Sequence, residues 1–153
     1  MPGLLLDSNV WVAATFPTHE FHGPSVAILK ASGPAQPVLW CRATELSYLR
    51  LVTSPRILER YGAEGMTNRH AVAALAAFRA RPGVDCRDEP AGTVELWQRL
   101  AGRDTASPKV WMDAYLAAFA IAGAMEFATI DRDFHAYEAH GLRLRLLVTP
   151  PMP

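Results

Sequence analysis

Short apolar runs alternate along this chain with longer segments in which apolar residues recur every three or four positions. Such alternation is typical of α/β proteins, in which helices cover a sheet. The apolar runs predict about five strands, and the periodic segments predict four helices. The predicted strands cover residues 3–7, 38–41, 84–86, 126–130 and 142–146, and the predicted helices cover residues 43–52, 67–80, 93–100 and 107–122.

Local signals refine two of these elements. Ser107 and Pro108 predict the start of the last helix, since a capping hydroxyl precedes a proline at the first helical position. In residues 142–146 leucine alternates with Arg143 and Arg145, a pattern that favours a half-exposed edge strand. We therefore predict an α/β fold with a mostly parallel sheet.

The chain length and composition predict one globular domain. The 153 residues, half of them hydrophobic and 20% charged, suffice for one core. We expect that core in residues 1–148 and an irregular tail in 149–153. The longest nearly apolar stretch, residues 110–122, is too short to span a bilayer. The N-terminal residues lack a basic segment, and the chain has only two cysteines, so a cytoplasmic protein without signal peptide or disulfide framework is expected.

The charge balance argues against one class of nucleic-acid-binding protein. Fifteen basic residues match fifteen acidic ones, whereas a protein that coats nucleic acid would be strongly basic. A nuclease that binds its substrate briefly remains compatible with this balance. The aromatic residues are spread over the predicted elements and are interpreted as core.

Four acidic residues follow or interrupt apolar elements. Asp7 and Asp131 end two predicted strands, and in an open parallel sheet ligands bind beyond the strand ends. Either residue can instead cap the element that follows it. Asp113 lies in a helix that is apolar nearly all round, where a carboxylate needs a cation or a partner such as Arg50. Glu45, in the first turn of its helix, is on its own more typical of a solvated side chain.

Taken together, these acids predict a cation site. Carboxylates brought together repel one another unless a divalent cation offsets their charge. An all-oxygen ligand set suits Mg²⁺ or Mn²⁺ rather than Zn²⁺. The sequence His19-Glu20-Phe21-His22 does not have the spacing of a zinc-protease motif and is interpreted as a loop or helix entry. Metal-assisted phosphodiester hydrolysis is the chemistry that such a site performs.

At four places the sequence resembles the PIN-domain ribonucleases, and within them the VapC toxins of type II toxin–antitoxin pairs. The order and spacing of these segments agree with that family over nearly the whole chain. The segments are residues 4–10 (LLLDSNV), 42–53 (RATELSYLRLVT), 111–118 (WMDAYLAA) and 128–134 (ATIDRDF).

This resemblance implies an α/β/α sandwich whose acidic pocket holds Mg²⁺ or Mn²⁺. It implies that Asp7 and Asp113 are the principal ligands and that Glu45 completes the site or orients its water. By the same resemblance Asp131 is the fourth acid. The supporting residues that it implies are Asp133, Thr129 and Asn9.

The resemblance also implies partners and an activity. A VapC-like toxin is a metal-dependent endoribonuclease, is usually a homodimer, and is held inactive by a small VapB-type antitoxin. Two other functions remain open on the residues alone: a receiver-like regulatory module, and a phosphohydrolase with Asp7 as nucleophile. The first would need a lysine after a late strand, and the second would need an acid where Asn9 stands.

Overall fold

A five-stranded sheet, parallel throughout, organises the computed structural model, which describes residues 3–149. In chain order its strands are β1 (Leu4–Leu6), β2 (Val38–Trp40), β3 (Val84–Cys86), β4 (Glu126–Thr129) and β5 (Arg143–Leu146). Across the sheet their order is β3-β2-β1-β4-β5. All five strands were predicted from the sequence, and β5 lies at an edge as expected. Apart from Thr149, the predicted irregular tail lies outside the described residues.

Within the described residues, seven α-helices and one 3₁₀ helix connect and cover the strands. The sequence predicted α3, α5, α6 and α7, and the interpretation of residues 19–22 as a loop or helix entry agrees with the start of α2. It did not predict α4, which is only six residues long, or α1, which is separated from β1 by one residue. The α-helices are α1 (Ser8–Thr15), α2 (His22–Ala31), α3 (Arg42–Val52), α4 (Pro55–Arg60), α5 (Asn68–Arg79), α6 (Thr93–Ala101) and α7 (Val110–Ala122), and the 3₁₀ helix is Arg132–His140.

The two faces of the sheet are covered by different sets of helices. Leu4 and Leu6 of β1 pack into a core with helices α1–α5, whereas Leu5 packs into a second core with α6, α7 and the 3₁₀ helix. Successive side chains of a strand point to opposite faces, so a central strand buried on both sides must be apolar at every position. This explains the leucine run of β1 and confirms the α/β/α sandwich.

The start of α7 corrects one detail of the prediction. The helix begins at Val110 and not at Ser107 or Pro108, because residues 108 and 109 form a turn in which the Val110 N–H donates to the Ser107 carbonyl at 3.1 Å. The Ser107 hydroxyl contacts Thr105 Oγ1 at 3.1 Å rather than capping the helix. No helix within residues 3–149 is long and apolar enough to cross a membrane.

Candidate active site

Asp7 lies where β1 ends and α1 begins, and its carboxylate makes two short hydrogen bonds. Oδ1 accepts from the Ser8 N–H at 2.7 Å, and Oδ2 accepts from the Thr129 hydroxyl at 2.8 Å. The side chain therefore caps α1, as one interpretation of this strand-end aspartate predicted, and it also contacts Thr129 at the end of β4. Only 8% of Asp7 is exposed.

Thr129 links three predicted site residues through its hydroxyl. Besides donating to Asp7, Oγ1 accepts from the Asp131 N–H at 3.0 Å and from Asn9 Nδ2 at 3.3 Å. Parallel pairing of β1 with β4, with Leu6 opposite Ala128, places Asp7 and Thr129 side by side. Asp131 Oδ1 in turn accepts from the Asp133 N–H at 2.9 Å and so caps the 3₁₀ helix.

Asp7, Asp113 and Asp131, referred to below as the aspartate cluster, share one electrostatic environment. The pKa of Asp7 is raised to about 6, mainly because burial disfavours the charged form. The hydrogen bonds from Thr129 and Ser8 lower it, and the negative charges of Asp113 and Asp131 act in the same direction as burial. Burial also raises the pKa of Asp113, with Asp131 acting in the same direction. Carboxylates in this arrangement favour the binding of a proton or a cation.

A lysine that the sequence analysis did not single out lies beside these acids. The Lys109 ammonium is 2.7 Å from Asp133 Oδ2 and 3.6 Å from Asp131 Oδ2. Its hydrogen bond to Asp133 lowers the pKa of that carboxyl, and its charge opposes the raised pKa of Asp113. No ion pair between Arg50 and Asp113 occurs among the described residues, so that alternative is wrong.

Glu45 is buried among cations rather than solvated. Only 1% of the residue is exposed, so the interpretation of a solvent-facing first-turn glutamate is wrong. Its Oε2 is 2.7 Å from Arg42 Nη1 and its Oε1 is 3.2 Å from Arg79 Nη1. The Cys86 thiol also donates to Oε1 at 3.7 Å. The contacts of this carboxylate are thus with α3, α5 and β3, and not with the aspartate cluster.

The donor chemistry of the aspartate cluster fits a hard divalent cation. Its oxygens are partly buried, repel one another and have no histidine or thiol beside them that would select zinc. Within residues 3–149, however, no three His, Cys, Asp or Glu side chains are already arranged to hold a metal ion. The charges of Asp7, Asp113 and Asp131 therefore interact, but these acids do not form a closed set of ligands, and the fourth predicted acid, Glu45, pairs with arginines instead.

The two cysteines are free thiols, and one tryptophan predicted in the core is exposed. Cys41 is buried and Cys86 is half-buried. The interpretation of the aromatic residues as core is wrong for Trp111, which is 55% exposed at the start of α7. Trp111 lies in a segment that carries the family resemblance but was given no role of its own, and the acidic partners of Lys109 and Arg79 were missed because they lie far away in the chain.

Known proteins resemble the chain in sequence and in structure. No family model matches it. Ribonuclease VapC41 of Mycobacterium tuberculosis (strain H37Rv) is 43% identical over 145 residues, which cover 94% of this chain and 98% of the relative. The solved structure of M. tuberculosis VapC20, a sarcin–ricin loop cleaving toxin, has a TM-score of 0.59 and 22% identity over 96% of this chain and 99% of that one. VapBC2 from Rickettsia felis, bound to a DNA fragment from its promoter, has a TM-score of 0.57 and 16% identity over 94% of this chain and 98% of that one.

Proposed function

The chain belongs to the VapC ribonucleases, the toxins of type II toxin–antitoxin systems, and on this premise we propose that it hydrolyses RNA at the aspartate cluster with the help of Mg²⁺ or Mn²⁺. The receiver-like and phosphohydrolase alternatives lose their support, since the relative at 43% identity is a ribonuclease.

One observation carries the assignment of the site. Asp7 is 8% exposed, yet its carboxylate feels the negative charges of Asp113 and Asp131, and its pKa is raised to about 6. A fold gains no stability from crowding ionised carboxylates, because each raises the free energy of the others' charged form. The arrangement becomes favourable when a divalent cation offsets the charges. We infer that cation binding is the reason for this cluster.

In this proposal Asp7 and Asp113 hold the cation, and Asp131 binds it or orients the attacking water. A divalent cation bound there lowers the pKa of a water molecule and offsets the charge that develops on the phosphate. The Thr129 hydroxyl keeps the Asp7 carboxylate in place and accepts from the Asp131 backbone N–H, and Asn9 Nδ2 in turn donates to that hydroxyl. Asp133 pairs with Lys109 beside the aspartate cluster, where the Lys109 ammonium can contact a phosphate oxygen of the RNA.

Glu45 has a different part in this proposal. Its carboxylate fixes the guanidinium groups of Arg42 and Arg79 at the start of α3 and the end of α5. Both arginine side chains are substantially exposed, at 76% and 46%. They can therefore contact the RNA backbone while their ion pairs with Glu45 are kept.

The family membership also supports two interactions, one with an antitoxin and one with a second copy of the chain. We propose that a VapB-type antitoxin inhibits the protein and that the active form is a homodimer. Solved structures similar to this chain include VapBC2 and FitAB, which are complexes of two components. An arginine of an antitoxin would form charge-assisted hydrogen bonds with the aspartate cluster and compete there with the cation.

Cleavage of total RNA by the purified protein, with Mg²⁺, with Mn²⁺ and with chelator, tests the site. Asp113→Asn and Asp7→Asn should each reduce cleavage about a hundredfold or more, because cation-held charge stabilisation contributes several kcal/mol. Glu64→Gln, an exposed acid in the connection between α4 and α5, is the control and should cleave normally. Unchanged activity in both folded aspartate variants, or full activity in chelator, would overturn the proposal.

A further inference from the structure

An apolar cavity opens beside the aspartate cluster, where the start of α7 meets the start of α3. Its volume is about 360 Å³. The exposed side chains at its mouth are Trp111, at 55%, and Met112, at 44%. Its lining consists of Ala43, Trp97, Pro108, Trp111, Met112 and Tyr115.

The polar groups of two aromatic rings in this cavity, Trp97 and Tyr115, are already hydrogen-bonded. Trp97 packs edge-on against Trp111, with ring centroids 6.4 Å apart, and against Tyr115 at 5.8 Å. The Trp97 indole N–H donates to the Trp111 carbonyl at 2.9 Å, and the Tyr115 hydroxyl donates to Glu89 at 2.6 Å. Since the Trp97 N–H and the Tyr115 hydroxyl are already paired, a ligand would contact these two rings through stacking and apolar contact.

Three lining residues of the cavity are next in the chain to charged residues, two of them cations and one a site acid. Lys109 adjoins Pro108 in the chain and Arg42 adjoins Ala43, and their side chains are 69% and 76% exposed. Met112 immediately precedes Asp113. A chain of phosphates that runs past the aspartate cluster would therefore meet positive charge near an aromatic surface. This combination is the one that binds single-stranded nucleic acid, with cations along the backbone and aromatic rings under the bases.

From these contacts we infer that Trp111 and its cavity bind an unpaired nucleobase of the RNA substrate, next to the phosphodiester bond that is cleaved. The inference rests on the proposed function in placing the cut at the aspartate cluster. A base stacked there holds the neighbouring phosphate near the acids. Because the cavity offers no free donor or acceptor from Trp97 or Tyr115, it selects for stacking area rather than for a base edge, and adenine should bind better than uracil.

Binding of short single-stranded RNA in chelator tests this without cleavage. The probes are oligoadenylate, oligouridylate and a strand of abasic ribose phosphates, each measured by fluorescence anisotropy. Wild-type protein should bind them in that order of decreasing affinity. Trp111→Ala should weaken binding of oligoadenylate about tenfold to a hundredfold, as expected for one stacked base, and should abolish the preference over the abasic strand.

Two further variants separate stacking from a structural effect. Trp111→Phe should recover most of the affinity, because it restores an aromatic face. Val72→Ala, which truncates another exposed apolar side chain on α5, should bind as wild type does. The slope of log affinity against log salt should be the same in wild type and Trp111→Ala, since the phosphate contacts are retained.

The outcomes also distinguish an RNA surface from a protein surface. If Trp111→Ala binds all three probes as wild type does but loses self-association in light scattering, the cavity is a protein contact and the inference is overturned. Equal wild-type affinity for the abasic strand and for oligoadenylate would overturn it as well. Because all binding is measured in chelator, these results do not depend on whether the aspartate cluster uses a metal ion.

Discussion

The hydroxyl of Thr129 donates to Asp7 Oδ2 at 2.8 Å, across 122 residues of sequence. This contact joins the ends of two neighbouring parallel strands, β1 and β4, at the edge of the sheet where the acids converge. The same hydroxyl accepts from the Asp131 N–H at 3.0 Å. One small side chain therefore fixes the relative position of two members of the aspartate cluster.

Replacing Thr129 by valine should reduce RNA cleavage by roughly tenfold to a hundredfold, the usual effect of losing a residue that orients a metal ligand. Valine keeps the shape of threonine but cannot donate to Asp7, so the pKa of Asp7 should rise further above its ordinary value. Steady-state cleavage at several metal concentrations measures the effect. Thr129→Ser retains the hydroxyl and should keep most of the activity; equal loss in both variants would point to packing instead.

The stability of the metal-free protein should fall as the pH rises from about 4 to about 6. Asp7 has a folded-state pKa of about 6, above its ordinary value of 3.8. The folded state therefore binds this proton more tightly than the unfolded state does, and the stabilisation present below pH 4 is lost as Asp7 ionises. Linkage puts the loss at about 2–3 kcal/mol at most.

The difference between wild type and Asp7→Asn isolates this effect from other titrations. Denaturant unfolding in chelator should show that the variant gains stability relative to wild type between pH 4 and pH 7. Added Mn²⁺ should then stabilise the wild type more than the variant, because a ligand of the folded state shifts the unfolding equilibrium. Parallel curves for wild type and Asp7→Asn would contradict the raised pKa. Glu64→Gln should follow the wild-type curve throughout.

The strands were predictable from local pattern, and the proximity of Asp7 and Asp131, which both contact Thr129, follows from the parallel sheet. Apolar runs ending at Asp7 and Asp131 gave the strands, and parallel strand ends meet at one edge whatever their order. The position of α7 was predicted to within three residues, and the error arose because Ser107 pairs with Thr105.

The surroundings of Glu45 and Asp113 were not predictable in the same way. Arg79 reaches Glu45 from another helix, 34 residues along the chain. Lys109, the residue before α7, pairs with Asp133 in the 3₁₀ helix. Such pairings depend on how α5 and the 3₁₀ helix pack, and the hydrophobic periodicity of the sequence does not predict that packing. The family resemblance placed Glu45 with the other acids, whereas its contacts in the structure are with two arginines and a thiol.

The two arginines should stabilise the fold in a non-additive way. Arg42→Met or Arg79→Met alone should each cost about 1 kcal/mol or less, since either arginine is largely exposed and the other still pairs with Glu45. The double variant leaves a buried carboxylate without a cation. It should therefore lose about 1–3 kcal/mol more than the sum of the single effects.

Urea unfolding of the wild type, the single variants and the double variant measures this coupling. The same four proteins carrying Glu45→Gln provide the control, because an uncharged side chain needs no cation. Additive effects of the arginine variants in the presence of Glu45 would contradict the idea of a shared buried carboxylate. The disappearance of the coupling in the proteins that carry Glu45→Gln would support it.

Lys109 should compete with a divalent cation for the aspartate cluster. Its ammonium lies 3.6 Å from Asp131 and also opposes the raised pKa of Asp113, so it already supplies part of the positive charge that these acids require. Lys109→Met removes that charge and should tighten Mn²⁺ binding about fivefold, the factor that corresponds to roughly 1 kcal/mol of Coulomb energy at close range in water.

Calorimetric titration of Mn²⁺ at low ionic strength is the appropriate measurement, since salt screens an exposed ammonium. The chain has one other lysine, Lys30, on α2, and Lys30→Met removes the same charge without touching the acids. That control should leave Mn²⁺ affinity unchanged. Equal tightening in both variants would indicate a net-charge effect, and weaker binding in Lys109→Met would mean that this lysine helps to hold the acids in a cation-binding position.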